Sequence, residues 1–346
     1  MKSGSNITVA ITGATGLVGK NLAFYLKENG YHVIAIGRSR EKLRVLEERG
    51  IDTRIADVGD ENSLKEAFKD VEVVVHAAGS VDPFGSRESI FATNYGGTQK
   101  ALSAAAEQGV TQFIHISSLS VITGQGDQYN VDEQAPLRLC GESYADSKVE
   151  AENWVMNSGL DIAVTALRPG FIYGPGERAW LPRLIHSIEH GRAMLIDGGL
   201  KETNVIYVGN LSKAIESAIL NAAAYNEVYN LTDGQKISKK QLFDAIADGM
   251  ELPRVNKKIP SLIAKIACES ISSIAPYLPE NKQRKLSRFS RAAFRLAGVN
   301  QGFSIAKAEK DLNYTKRTRF EEGMKITLQS FKEAKETRVR DGAVSS

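Results

Sequence analysis

Tyr144 and Lys148 stand four residues apart in the run Tyr-Ala-Asp-Ser-Lys, which puts a phenol and an ammonium on one face if the segment is helical. A free phenol titrates near 10 and is a poor base at neutral pH, but a neighbouring cation can depress it by ~1 to 3 pH units. It then becomes a usable general acid or base. Such pairs also arise by chance on helix surfaces, so the reading depends on what else the chain supplies. Upstream, an apolar run ends in Ser117, Ser118 and Ser120. Hydroxyls at the C-terminal end of a strand sit at the mouth of an open parallel sheet, where ligands bind. Their alternative use is in turns and caps.

A glycine loop near the N-terminus points to what would bind there. Gly13-Ala-Thr15-Gly16-Leu17-Val18-Gly19 follows a Val/Ile run and opens a helical pattern. Strand, glycine turn and helix N-terminus together aim backbone N–H groups and the positive end of a helix dipole at one spot, which suits a pyrophosphate. The glycines are spaced three and three apart, one residue off the usual dinucleotide fingerprint. About 20 residues further on, an NAD site would place a carboxylate for the ribose 2′-hydroxyl. Here Arg38 and Arg40 stand there instead, and guanidinium groups bind a 2′-phosphate through charge-assisted hydrogen bonds. NADP(H) is therefore favoured over NAD(H). Asp57 and Val58, after the third strand, are candidates for contact with the adenine.

These residues need a scaffold, and the pattern around them supplies one. Residues 7–11, 31–36, 52–56, 71–77, 112–117 and 161–167 read as strands, several of them nearly continuous in apolar residues, as when both faces of a sheet are covered. Helices over 17–29, 42–49 and 87–108 alternate with them, each followed by a glycine. The alternation predicts an α/β fold with a doubly wound parallel sheet of the Rossmann type and a smaller, mostly helical C-terminal substrate domain. The expected division is a cofactor domain over 1–170 and a substrate region over 171–335, from which about 203–222 return to the first domain. A flexible tail is expected over 336–346.

Composition narrows the class further. The chain has 346 residues, 42% hydrophobic and 25% charged, an ordinary globular balance and about two domains' worth of chain. Forty-four basic against 41 acidic residues leave a net charge of +3, too little to suggest nucleic acid as a partner. Cys140 and Cys268, with no ligand-spaced cluster about them, suggest neither a disulfide framework nor a zinc site. The N-terminal run lacks the pattern of a signal peptide, and residues 259–278 are broken by Lys265 and Glu269. The expected location is cytoplasmic.

Taken in order, these features resemble an extended short-chain dehydrogenase/reductase, in the group of NAD-dependent epimerases/dehydratases and 3β-hydroxysteroid dehydrogenases. The similarity runs from about Ile7 to Met324. It includes the glycine loop, His76-Ala77-Ala78-Gly79, Asn94-Tyr-Gly-Gly-Thr98, Ser118, Tyr144, Lys148 and Arg168-Pro169-Gly-Phe171-Ile172-Tyr-Gly-Pro-Gly176. The resemblance implies that Tyr144 exchanges the substrate proton and that Lys148 lowers its pKa and holds the nicotinamide ribose. It further implies that Asn94 supports a proton relay, that Ala77, Ala78 and Gly79 line the cofactor, and that Pro169, Phe171 and Ile172 border the nicotinamide. Aligning Ser-Ser-Leu-Ser-Val with the family's Ser-Ser-x-x-Val places the catalytic hydroxyl on Ser118; a shift of the loop would present Ser117 or Ser120.

The run Asn204-Val-Ile-Tyr-Val-Gly-Asn210 resembles steroid dehydrogenase-like members more than nucleotide-sugar enzymes, which implies a hydrophobic alcohol or ketone. A nucleotide-sugar epimerase or dehydratase is the alternative. A third, a dinucleotide-binding protein without turnover, is disfavoured by the intact Ser, Tyr and Lys. Further candidate partners are a second copy of the chain and an anionic membrane surface. Residues 281–300 hold Lys282, Arg284, Lys285, Arg288, Arg291 and Arg295 without an acid, beside a stripe of Ile263, Ile266, Ala267, Ile271 and Ile274. Basic amphipathic helices of this kind lie in membrane interfaces, so peripheral contact is expected through 260–297. The competing expectation is that both stripes pack inward.

Overall fold

The structure, a computed structural model, describes residues 7–82, 85–123, 126–274, 279 and 291–344, with backbone alone at 291–293 and 337–344. Five strands open the chain: β1 (Thr8–Thr12), β2 (His32–Gly37), β3 (Asp52–Ile55), β4 (Val73–His76) and β5 (Gln112–Ile116). With Ala163–Pro169 and Glu227–Leu231 they form one seven-stranded sheet, in the order Glu227–Leu231, Ala163–Pro169, β5, β4, β1, β2, β3. Every neighbouring pair is parallel. The doubly wound sheet expected from the alternation is present. Its order reverses at β1, which lies between β2 and β4, and that reversal opens a crevice at the C-terminal strand ends.

Two apolar layers cover the sheet. On one side α1 (Leu17–Glu28) and α8 (Val208–Ala218) pack together, and Leu22, Leu26, Leu211 and Ile215 are fully buried with Ile11 and Val75. On the other, α3 (Glu61–Ala67), α5 (Gly97–Glu107) and α6 (Ser143–Asn157) bury Leu64, Leu102 and Val155 against Ala10, Val74 and Phe113. A third cluster beyond the sheet joins Tyr173, Leu181, Ile185, Leu242, Phe320 and Met324. It ties α7 (Leu181–Glu189) and α9 (Lys239–Gly249) to the C-terminal helix Phe320–Val344.

Several local expectations change. The helix expected over 87–108 is three segments: α4 (Arg87–Phe91), a π turn over Ala92–Gly96, and α5. Gly97 lets α5 approach its neighbour, since a Cβ there would lie 2.9 Å from Val58 Cγ2. Helix α2 (Arg40–Glu47) starts two residues early because Ser39 caps it, accepting the Lys42 N–H. Sequence reading passed over α3, capped by Asp60, and the edge strand Glu227–Leu231. The last helix, Phe320–Val344, runs through residues 336–344.

The proposed membrane segment is only partly described. Lys282, Arg284, Lys285 and Arg288 lie outside the described residues. Helix α10 (Ser261–Ile274) buries Ala264 and Cys268 but leaves Leu262, Ile263, Ile266 and Ile274 exposed by more than half. It packs on the helix Arg291–Gly298, whose Arg295 is not a solvated charge: it is ion-paired with Glu142, just before α6.

Candidate active site

At the C-terminal ends of β1, β4 and β5 the chain brings its chemistry together. Gly13 has a positive φ of 67°, and a Cβ there would stand 2.7 Å from the Ala78 backbone. A Cβ at Gly19 would lie 2.4 Å from the Gly13 carbonyl. These two glycines let the β1 turn, the β4 end and the start of α1 touch. Gly16 is the N-cap of α1; no side chain caps it and the first turn has no acid. The N–H groups and dipole there suit a cofactor phosphate. Thr15 is exposed beside this turn, and Leu17 and Val18 start the helix half-buried.

Beyond β2 stand the two arginines. Arg38 is 76% exposed and 3.7 Å from Asp57 Oδ2, while Arg40 is exposed in the first turn of α2. A cation there opposes the helix dipole, which instead favours an anion at that end. Asp57 also accepts the Gly59 N–H at 2.8 Å. At β4, Ala77 and Ala78 are half-buried and Gly79 is exposed. A side chain on Gly79 would crowd Asn94 Oδ1 at 3.3 Å and Lys148 Nζ at 3.6 Å.

The three serines separate by environment. Ser117 is buried and donates to Glu152 at 2.6 Å. The Ser120 hydroxyl is buried without a partner among the described residues. Ser118 Oγ accepts the Ser120 N–H at 3.1 Å, and its hydroxyl pulls the Tyr144 pKa downward. Of the three, Ser118 is the one whose hydroxyl bears on the phenol's titration. Tyr144, Ser147, Lys148 and Glu152 lie on α6, and Lys148 Nζ donates to the Ile116 carbonyl at 2.8 Å.

Electrostatics here depart from expectation. Burial raises the Tyr144 pKa, and the Ser118 hydroxyl pulls it the other way. Burial is the larger of the two, so the phenol stands above its usual value. Lys148 itself is pushed down to about 8 by burial, against the opposing charge of Glu152. Asn94 sits in the π turn, fully buried, its Oδ1 accepting Ser80 N–H at 2.6 Å and its Nδ2 donating to Ser147 Oγ at 3.0 Å.

The far wall follows Ala163–Pro169. Phe171 and Ile172 form a parallel pair with Val205–Tyr207. Trp180, which sequence reading did not single out, meets Phe171 edge-on at 6.5 Å and donates from its indole to the Ile172 carbonyl at 3.0 Å. Arg168 makes a bidentate pair with Glu152, both side chains under 5% exposed. Glu152 was also missed, although its position four residues after Lys148 marks the same helix face. Asn210, read as a branch marker, braces the fold by donating to Asp233 and to the Thr318 carbonyl. Outside this crevice, His186, Glu189 and His190 are an exposed cluster at the end of α7 with ligand atoms within 4.8 Å of one another. The sequence reading overlooked that spacing.

Residues 10–237 match the model of the 3-beta hydroxysteroid dehydrogenase/isomerase family. The chain belongs to that family. It is 27% identical to a 2-alkyl-3-oxoalkanoate reductase of Stenotrophomonas maltophilia, covering 92% of this chain and 97% of the relative. It is 30% identical to the bovine short-chain dehydrogenase/reductase family 42E member 1, covering 89% and 83%. A farnesyl-dihydroquinoline-oxide ketoreductase of Stigmatella aurantiaca is 27% identical over 92% and 95%. Among solved structures, UDP-glucose 4-epimerase of Thermotoga maritima superposes with a TM-score of 0.74 at 20% identity, covering 95% and 99%; this likeness concerns the fold.

As a member of the 3-beta hydroxysteroid dehydrogenase/isomerase family, the chain is an NAD(P)-dependent oxidoreductase of the extended short-chain dehydrogenase/reductase type. The uncapped α1 N-terminus and the close approach at Gly13 and Gly19 fit the dinucleotide that family uses. Among the described residues no helix is long and apolar enough to cross a membrane.

Proposed function

We propose that this protein reduces a ketone on a hydrophobic substrate to a secondary alcohol, or runs the reverse, with NADP(H). The observation that carries the reading is Tyr144 and Lys148 on one face of α6, with Lys148 Nζ donating to the Ile116 carbonyl at the end of β5, two residues before Ser118. When bound, the dinucleotide supplies the hydride. In the reducing direction Tyr144 donates its phenolic proton to the carbonyl oxygen, and Ser118 donates a second hydrogen bond to that oxygen. The Lys148 ammonium adds positive charge that favours the phenolate left behind. Gly13, Gly16 and Gly19 would hold the pyrophosphate against the α1 N-terminus. Phe171 and Ile172 would border the nicotinamide and exclude water from it.

Exposed Arg38 and Arg40, with no carboxylate at the end of β2, support a preference for the 2′-phosphate. The names of the oxoalkanoate reductase and the farnesyl-quinoline ketoreductase support an apolar ketone. Exposed Leu262, Ile263, Ile266 and Ile274 on α10, beside the cation-rich sequence of 281–300, support delivery from an anionic bilayer. Salt-sensitive sedimentation with anionic but not neutral liposomes is the expected behaviour there.

A panel of 3-oxoalkanoates, steroids, aliphatic ketones and UDP-sugars, followed at the nicotinamide absorbance, tests the reaction. Stoichiometric NADPH consumption with an apolar ketone is expected. Interconversion of a nucleotide sugar with no net cofactor use, and no response to apolar ketones, would refute the proposal.

A further inference from the structure

His76 ends β4, is fully buried, and makes two hydrogen bonds whose directions its neighbours dictate. Thr98 Oγ1 donates its single proton to the Asn94 carbonyl at 2.6 Å. Toward His76 Nε2, at 3.1 Å, it can therefore only accept. The ring proton must sit on Nε2. Nδ1, 2.9 Å from Thr12 Oγ1, is then an acceptor for the Thr12 hydroxyl, and Thr12 Oγ1 accepts the Ala78 N–H at 3.3 Å. One directed chain runs from Ala78 N–H through Thr12, His76 and Thr98 to the Asn94 carbonyl.

Both ends of this chain reach the site. Ala78 belongs to the strand end that meets the glycine loop, where a Gly13 side chain would collide with it. Asn94 sits in the π turn, and its side chain continues the connection. Asn94 Nδ2 donates to Ser147 Oγ at 3.0 Å, and Ser147 donates to the Tyr144 carbonyl at 2.8 Å. Ser147 immediately precedes Lys148. The imidazole must stay neutral to act as both donor and acceptor, and burial beside the Lys148 charge holds its pKa down to about 3. The neighbouring His115, stacked on it at 5.9 Å, has both nitrogens unpartnered among the described residues, so burial in this layer does not by itself bring hydrogen bonds to an imidazole.

We propose that His76 is a positioning residue that, as an Nε2–H imidazole, sets the placement of the cofactor strand end against the helix carrying Tyr144 and Lys148. Thr12 is its link to the cofactor side and Thr98 its link to the proton-transfer side. The inference rests on the assignment of Tyr144 and Lys148 to proton transfer.

Cutting the chain at its two links should give different kinetic signatures. Thr98→Val frees the Asn94 carbonyl and leaves the His76–Thr12 half intact, so kcat should fall about 10-fold while the NADPH dissociation constant stays within about 2-fold. Thr12→Val should do the converse, weakening NADPH about 10-fold with kcat at saturating cofactor nearly unchanged. Serine at either position should restore the lost parameter, since it returns the hydroxyl. Nitrogen-15 NMR of histidine-labelled wild-type protein should show His76 as the Nε2–H tautomer from pH 6 to 8. The tautomer and the NADPH dissociation constants are read without substrate, so they stand or fall separately from the ketone reading. An Nδ1–H tautomer would overturn the proposal. So would valine variants that shift the same parameter in step with a lowered melting temperature, or serine variants that fail to rescue.

Discussion

Replacing Lys148 by Met removes an ammonium that the fold holds at a cost, and that cost can be worked out from its surroundings. Burial lowers the Lys148 pKa from 10.5 to about 8. Each pH unit of difference between folded and unfolded chain corresponds to ~1.4 kcal/mol, so at pH 7 the folded state bears about 3 kcal/mol for keeping this group charged. Methionine of similar length removes that cost but also the hydrogen bond to the Ile116 carbonyl, worth about 1 to 2 kcal/mol when its loss leaves a buried acceptor. The variant should therefore be more stable than wild type at pH 7 by about 1 to 2 kcal/mol, while losing turnover.

The sign with pH follows from the same shift. Below about 8 both states carry the proton and the cost is fully present. Between about 8 and 10.5 only the unfolded chain keeps it, so wild type gains stability as the pH rises and the advantage of the variant shrinks. Urea denaturation of both proteins at intervals from pH 6.5 to 10.5 measures this. Taking the difference between the proteins removes other buried amines, such as Lys239, also pushed down to about 8. A Lys148→Met protein less stable than wild type at pH 7, or a difference that does not change across that range, would refute the reasoning.

Tyr144→Phe should lower kcat by ~10²- to 10⁴-fold, with cofactor affinity in direct titration within a few-fold of wild type, because only the proton-carrying oxygen is lost. Arg38→Ala should weaken NADPH by ~10-fold or more and leave NADH nearly unchanged, since a charge-assisted bond to phosphate is worth ~1.5 to 3 kcal/mol; equal weakening of both cofactors would remove Arg38 from the 2′-phosphate site. Arg168→Met leaves the Glu152 carboxylate buried without its partner and should destabilise the fold by ~3 to 5 kcal/mol, whereas adding Glu152→Leu should recover most of that loss in the same denaturation assay.

What the amino-acid sequence determined by itself is the part written in local pattern. Alternating apolar runs and helical periodicity require a sheet covered on both faces, because each segment must bury its apolar side. Gly13 and Gly19 announce a close approach that no other residue permits, and Tyr144 and Lys148 share a helix face by spacing alone. What tertiary structure decided lies in groups brought together across long separations. Ser117 is withdrawn because Glu152, 35 residues on, takes up its hydroxyl, and the Ser118 hydroxyl is the one that bears on the Tyr144 phenol. Lys148 turns to the Ile116 carbonyl because β5 passes beneath α6, so its spacing from Tyr144 did not reveal its partner. The neutral His76 and its proton position follow from Thr12 and Thr98, 64 and 22 residues away in the chain. Spacing along a chain specifies which side chains share an element's face; hydrogen-bond partners and desolvation are set by the elements packed against that face, and these come from the strand order.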